Sequence, residues 1–344
     1  VEVHRGETIE SRHRGHIVHV DAAGRVIRAA GTPDTTIMLR STVKPFALVA
    51  LIDSGAADEF GLTPSELAVM CSSHTGEDKH VRTLQAIFRR ASVSQGALRC
   101  GSEGAPRDAL TAARLARDGE APGAIRHGCS GFHAASLLLS AYSGWSIDDY
   151  ADPAHPSQVA VRDAVARLLG RRPGSLRTSP GDCGLMTYEA ALVELARAYL
   201  MLAEPEGPTV DAERARYAPA LRRVRDAMMS APDMVGGTYD DLDTELMRRR
   251  PFTLVSKAGS DGVRGVGLLG DAASAMAIKI EDGDLSRRAV TAATVEALAQ
   301  IGVLDDRDLR AMEAYHHPTV RTPDRRDASV ALARFELAPL RELA

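Results

Sequence analysis

The sequence predicts a mixed α/β protein of the α+β kind, because β-favouring runs lie near both ends and a long helical stretch separates them. Residues 16–20, 25–30 and 36–39 are short runs rich in Val and Ile, divided by turn formers at 21–24 and 31–34. They read as an antiparallel meander. Similar runs return at 252–256, 263–269 and 275–280, joined by Gly-rich links. One sheet assembled from residues 1–40 and 250–285, flanked by helices, is the expected core. The helical lobe then spans roughly 60–245.

The helices follow from apolar spacing and end signals. From Thr42, the cluster Phe46, Val49, Ala50 and Leu51 reads as a helix stopped at Gly55. Thr63-Pro64-Ser65-Glu66 has the order of a capping box, with Pro at the first turn. Beyond it, Leu67 to Met70 carries the chain into the polar knot Cys71-Ser72-Ser73-His74-Thr75-Gly76-Glu77. Residues 79–90, 108–118, 132–142, 158–169, 188–202, 221–229 and 287–304 carry further helical patterns. The last is placed to cover the sheet. The run 204–208 breaks the pattern and reads as an exposed loop rather than a boundary, so residues 1–344 are taken as a single domain.

Bulk properties narrow the function. The chain of 344 residues is 44% hydrophobic and 26% charged, ordinary values for a globular protein. Aromatic residues at 4% and a net charge of -4 offer neither stacking platforms nor a basic footprint, so no nucleic-acid partner is expected. No run reaches the ~20 apolar residues of a membrane span, and the first residues lack the apolar core of a signal peptide. A cytoplasmic protein acting on small molecules or other proteins is the expectation. Cys71, Cys100, Cys129 and Cys183 show no Cys-x-x-Cys pairing and read as reduced thiols.

Two hydroxyl–amine couples stand out. Ser41 and Lys44 are three positions apart where strand gives way to helix, and so share a helix face. A lysine held neutral by burial or by a nearby cation such as Arg40 would take the serine proton and create a nucleophile. The plainer reading makes Ser41 a helix cap and Lys44 a solvated charge. Ser73 in the polar knot and Lys257 before Ala258-Gly259 form the second couple, against a reading of Lys257 as a surface charge at a strand end. Cys129, His133 and Cys183 are the grouping with metal-ligand chemistry, suited to zinc, although cysteines more often pack as small hydrophobes.

Read together, the segments resemble the asparaginase II-like family, the class 3 or rhizobial-type L-asparaginases. The resemblance is carried by eight stretches in register over nearly the whole chain. They are Glu10-Ser11-Arg12-His13-Arg14-Gly15, Arg40-Ser41 with Lys44-Pro45, Ser72-Ser73-His74-Thr75-Gly76-Glu77, and Cys129-Ser130-Gly131 with His133. His155-Pro156 with Gln158, Cys183-Gly184, Asp243-Thr244-Glu245-Leu246-Met247 and Lys257-Ala258-Gly259 with Gly262 complete the set.

The resemblance implies a fold similar to β-lactamases, penicillin-binding proteins and glutaminases: a central antiparallel sheet flanked by helices, with a mostly helical lobe. It implies a homodimer that hydrolyses L-asparagine to L-aspartate and ammonia. Carried over, Ser41/Lys44 and Ser73/Lys257 are the catalytic pairs, with Ser41 the preferred nucleophile, Lys44 its base, and Ser73 with Lys257 relaying the proton. Arg40, His133 and Asp182 are the substrate-binding set, Arg40 taking the carboxylate. Alternatives are hydrolysis of another small amide such as glutamine, or an amino-acid-binding homologue without turnover.

Two departures from the family pattern bear on zinc. The family's zinc-binding lysine is replaced here by Phe132, which has no donor atom, leaving Cys129 and Cys183 short of a ligand. Gly181-Asp182-Cys183-Gly184 also replaces the usual Asp-Gly-Cys-Gly order. Zinc is therefore expected to be absent or weakly held unless His133 or Asp182 substitutes.

Overall fold

A computed structural model describes residues 1–101 and 106–339. Its centre is a six-stranded antiparallel sheet in the order Ala338–Pro339, Val26–Ala30, Gly15–Val20, Ser274–Ile280, Val263–Leu268, Leu254–Ala258. Both termini contribute. Gly15–Val20 meets Ser274–Ile280 in the middle, with Val18 opposite Ala277. Every residue of Val263–Leu268 is buried, so this strand reads as a near-continuous apolar run rather than an alternation. Helices Leu192–Ala203 and Arg288–Gln300 pack on the sheet.

Two smaller sheets were only partly foreseen. Thr36–Met38 does not extend the meander. It pairs with Met186–Ala191, which in turn pairs with Thr178–Pro180. Residues 188–191, expected to open a helix, are therefore strand, and the helix begins at Leu192. Glu2–Arg5, Thr8–Arg12, Thr319–Arg321 and Asp327–Leu332 form a four-stranded sheet.

The helices fall near the positions their spacing predicts. Pro64–Met70 begins with a true capping box, in which Thr63 Oγ1 accepts from Glu66 N–H and Glu66 Oε2 accepts from Thr63 N–H at 2.8 Å. Helix Lys44–Asp53 is different in kind. Its residues from Lys44 through Leu51 are all buried, and it packs against helices Ser130–Tyr142, Pro156–Leu168 and Ala218–Ser230. An apolar face all round makes it the axis of the helical lobe. Among the described residues, no helix is long and apolar enough to cross a membrane.

Candidate active site

The site forms where that axial helix starts. A lysine heading a helix with no polar face cannot reach solvent, and Lys44 is only 2% exposed. Its Nζ donates to Ser72 O at 2.5 Å and lies 3.2 Å from Cys129 Sγ and 3.3 Å from Ser73 Oγ. Three partners match the three donors of an ammonium.

Lys257 arrives from the edge strand Leu254–Ala258 and is 1% exposed. Its Nζ donates to Ala258 O at 2.7 Å and lies 3.1 Å from Ser73 Oγ. Burial pulls its pKa from the ordinary 10.5 to about 7, with Lys44 adding to the effect and Asp243 opposing it. A neutral amine is thus accessible near neutrality. Ser73 Oγ lies within hydrogen-bonding distance of both lysines.

Ser73 is held by backbone. The knot at 72–77 is stitched by Ser73 N–H to Val235 O at 3.0 Å, His74 N–H to Gly128 O at 3.1 Å and Thr75 N–H to Gly236 O at 2.9 Å. Beneath it, His74 Nδ1 accepts from Gly76 N–H, and its Nε2 meets Ser130 Oγ at 2.8 Å. Burial holds the His74 imidazole neutral, well below its ordinary pKa.

Ser41 sits in the 3₁₀ turn Arg40–Val43 and caps neither that turn nor the helix after it. Among the described residues no hydrogen bond joins its hydroxyl to Lys44, whose amine points to Ser73 instead. The Ser41 and Ser73 side chains line one cavity of about 250 Å³. The small residues after Lys257 serve a packing need: a Cβ on Gly259 would come 3.1 Å from Arg40 Cβ and 3.3 Å from Ser41 N. The strand end therefore lies against the turn that carries Ser41.

The remaining predicted residues divide. Asp182 is on the cavity wall, its side chain 72% exposed. Arg40, expected to face a substrate carboxylate, is already paired with Asp182 and with Asp261 at 3.1 Å. Its backbone takes a left-handed φ of 52°, unusual for a residue with a Cβ. His133 is fully buried and does not line the cavity. Tyr150 Oη accepts from Arg99 N–H and lies 2.6 Å from His133 Nδ1, while His133 Nε2 is buried with no hydrogen-bond partner.

Two cavity arginines escaped the sequence reading. Arg107 donates to Ser73 O and to His74 O, and Arg287, just before helix Arg288–Gln300, presents a guanidinium with no hydrogen bond or ion pair among the described residues. Neither lies in a stretch of distinctive spacing. Only the tertiary fold brings them to the cavity.

A profile of the L-asparaginase II family matches residues 1–330. The chain belongs to that family. No curated protein sequence matches. Among solved structures, Mglu in its native form aligns with a TM-score of 0.39 at 16% identity, covering 86% of this chain and 66% of that one. Mglu in its glutamate form aligns with a TM-score of 0.37 at 18% identity, covering 90% of this chain and 63% of that one. The chain spans just under two thirds of the length of these Mglu chains.

The family's zinc can be tested against the residues present. Cys129 and Cys183 share a hydrogen bond that, with help from Lys44, holds the Cys129 thiol well below its ordinary pKa and raises that of Cys183. Phe132 brings a ring to this point, 5.6 Å from Lys44 Nζ, where a third donor would stand. Two sulfurs fall short of a zinc ligand set, which takes three or four protein donors. Among the described residues the one three-donor cluster is Glu313, His316 and His317, outside the cavity. The donor set does not fit a family-type zinc site.

Proposed function

We propose that this chain hydrolyses the side-chain amide of L-asparagine to L-aspartate and ammonia through Ser73, with Lys257 as general base and Lys44 as the accompanying cation. The observation that carries the reading is the convergence of two buried amines on one hydroxyl. Ser73 Oγ gives its proton to neutral Lys257 Nζ as it attacks the amide carbon. The tetrahedral intermediate then expels ammonia, which leaves with the proton from Lys257. An aspartyl ester on Ser73 remains. Water attacks that ester, Lys257 accepts the water proton, and Ser73 Oγ recovers a proton as aspartate departs. Lys44 lies close enough to Ser73 to offset negative charge developing on the substrate oxygen.

Substrate recognition follows the charge on the walls. Asp182 on the cavity wall is assigned to the α-ammonium, and Arg287, whose guanidinium has no hydrogen bond or ion pair among the described residues, to the α-carboxylate. Arg40, taken up by two aspartates, organises that wall. Part of this reading, carried by the family resemblance, is a β-lactamase-like architecture and a cytoplasmic homodimer. Light scattering on the purified chain tests the dimer.

A second reading has Ser41 attack and Ser73 relay the proton, as the sequence suggested. It is favoured by the position of Ser41 on the walls of both the main cavity and its smaller neighbour. Ammonia release from asparagine and glutamine, measured for Ser73→Ala, Ser41→Ala and Lys257→Ala, tests both. Mass spectrometry of acid-quenched enzyme locates the acyl group. An acyl-enzyme at Ser41 overturns the assignment to Ser73, and full activity in Lys257→Ala overturns the mechanism.

A further inference from the structure

Behind Lys257 lies a buried charge pair that the mechanism above does not use. Asp243, in helix Leu242–Arg249, is 2% exposed and Arg264, on strand Val263–Leu268, is 4% exposed. Asp243 Oδ1 accepts from Arg264 Nη1 and from Ser256 Oγ at 2.7 Å. Its Oδ2 accepts from the Ala258 N–H at 2.8 Å and stands 3.9 Å from Lys257 Nζ. Arg264 Nη1 also donates to Ser256 Oγ at 3.0 Å. One carboxylate thus grips the backbone on the carboxyl side of Lys257, the side chain on its amino side and the guanidinium on the neighbouring strand.

The geometry is unequal. Arg264 is in direct contact with the carboxylate, whereas the lysine amine stands off at 3.9 Å and makes its hydrogen bonds to Ala258 O and Ser73. A buried carboxylate facing a lysine alone would draw the proton onto it and hold it there. A carboxylate already neutralised by a guanidinium does so much less.

We propose that Asp243 and Arg264 act together as positioning residues for Lys257, the carboxylate fixing the strand that aims the amine at Ser73 and the guanidinium blunting the carboxylate's hold on its proton. The inference rests on Lys257 acting as the base, but the property it predicts can be read without turnover. Among the described residues the titratable and charged groups facing the amine are few. They are Asp243 and Asp241 at the start of one helix, Lys44 heading another, Arg287 at the cavity and Cys71 after helix Pro64–Met70. Tyr199, whose hydroxyl donates to Thr42 O, faces Asp243 from the covering helix. Among these, Asp243 raises the proton affinity of Lys257 most, while burial and Lys44 lower it.

The pair therefore predicts shifts of opposite sign. Removing the carboxylate charge in Asp243→Asn lowers the Lys257 titration midpoint, and removing the guanidinium in Arg264→Gln raises it, each by about one pH unit or more. Ser256→Ala, a milder change that strips one hydrogen bond from Asp243, raises it by about half a unit. Arg264→Lys keeps the charge and stays within about 0.3 units of the wild type.

The experiment is an NMR titration of ¹⁵N-lysine side chains in the full chain, with the Lys257 signal assigned by its loss in Lys257→Arg. Midpoints that move in opposite directions for Asp243→Asn and Arg264→Gln support the proposal. Unmoved midpoints, or both moving the same way, overturn it. If either buried variant fails to fold, Ser256→Ala and Arg264→Lys decide: a rise in the first with constancy in the second supports the proposal, and any other pattern overturns it. The acid limb of kcat/KM is measured in parallel. Midpoints that shift as predicted while the limb stays fixed would leave this inference standing and remove Lys257 as the base.

Discussion

Lys257 Nζ and Ser73 Oγ lie 3.1 Å apart although 184 positions separate them in the chain. Under the proposed mechanism that contact ties activity to the proton state of one amine. Lys257 accepts a proton only when neutral, and its pKa of about 7 places the change within the working range. The kcat/KM for asparagine is expected to fall as pH drops through an acid limb centred near 7. Lys257→Ala and Ser73→Ala are each expected to lose ~10³-fold or more in kcat. Steady-state ammonia release between pH 5 and 9 checks the limb, and a flat profile across that range counts against Lys257 as base.

The same amine costs stability. Its pKa is lower in the fold than in the unfolded chain, so between about 7 and 10.5 the unfolded state binds more protons. The penalty is full below pH 7 and fades as pH rises toward 10.5. Lys257→Met is therefore expected to be inactive yet more stable than the wild type at pH 6, by ~1–4 kcal/mol, with the difference shrinking toward pH 10. Urea unfolding at the two pH values measures it. A variant less stable at pH 6 shows that the amine's hydrogen bonds outweigh its burial.

How much of this was legible depends on which physical signal each residue leaves. Thr63 and Glu66 announced their helix because a capping box is local, and the structure contains it. Lys44 carries a sign that argues against the solvated reading: it heads Pro-Phe-Ala-Leu-Val-Ala-Leu, a run with no polar face that leaves a lysine at its start no route to solvent. Residues 188–191 misled because their apolar spacing continues into the true helix at Leu192, and strand pairing with Thr36–Met38 is a tertiary fact. Gly131 sits in a recognisable motif, but its reason appears only in three dimensions, where a Cβ would lie 1.9 Å from Val69 O. The facing of Lys44 toward Ser73 rather than Ser41 depends on where a segment 29 residues later docks. Arg107, Arg264 and Arg287 left no distinguishing trace, since an arginine's partner is chosen by the fold.

Four buried histidines predict acid sensitivity. Burial lowers the pKa of His19, His80 and His133 to about 4 and holds that of His74 well below its ordinary value. His74 and His80 are stacked, with ring centroids 4.7 Å apart, so charging both also brings like charges together. In the unfolded chain these groups protonate near 6.5, so that state binds more protons as pH falls from 6.5 to 4. Stability is expected to drop over that window by roughly several kcal/mol. Unfolding free energies at pH 7.5, 6 and 5 check it. Because His74 braces the knot that presents Ser73, His74→Ala is expected to lower kcat as well as Tm. A stability unchanged from pH 7.5 to 5 contradicts the neutral, buried state of these rings.

Lys44 also bears on the metal question. Its amine lies 3.2 Å from Cys129 Sγ and helps hold that thiol below its ordinary pKa, a role a bound zinc would otherwise fill. A metal ion here would have to compete with that hydrogen bond while holding two sulfurs and no third side-chain donor at position 132. Zinc in the dialysed wild-type chain is expected well below one ion per chain. Phe132→Lys removes the ring 5.6 Å from Lys44 and introduces an amine that binding to the metal would keep neutral. That variant is expected to raise zinc content toward one ion per chain, with uptake falling at acid pH as the thiolates and amine are protonated. Elemental analysis of both proteins after identical dialysis decides it. Stoichiometric zinc in the wild type would mean that a ligand outside the two cysteines completes the site, with His133 Nε2, buried and without a hydrogen-bond partner, the first to test by His133→Ala.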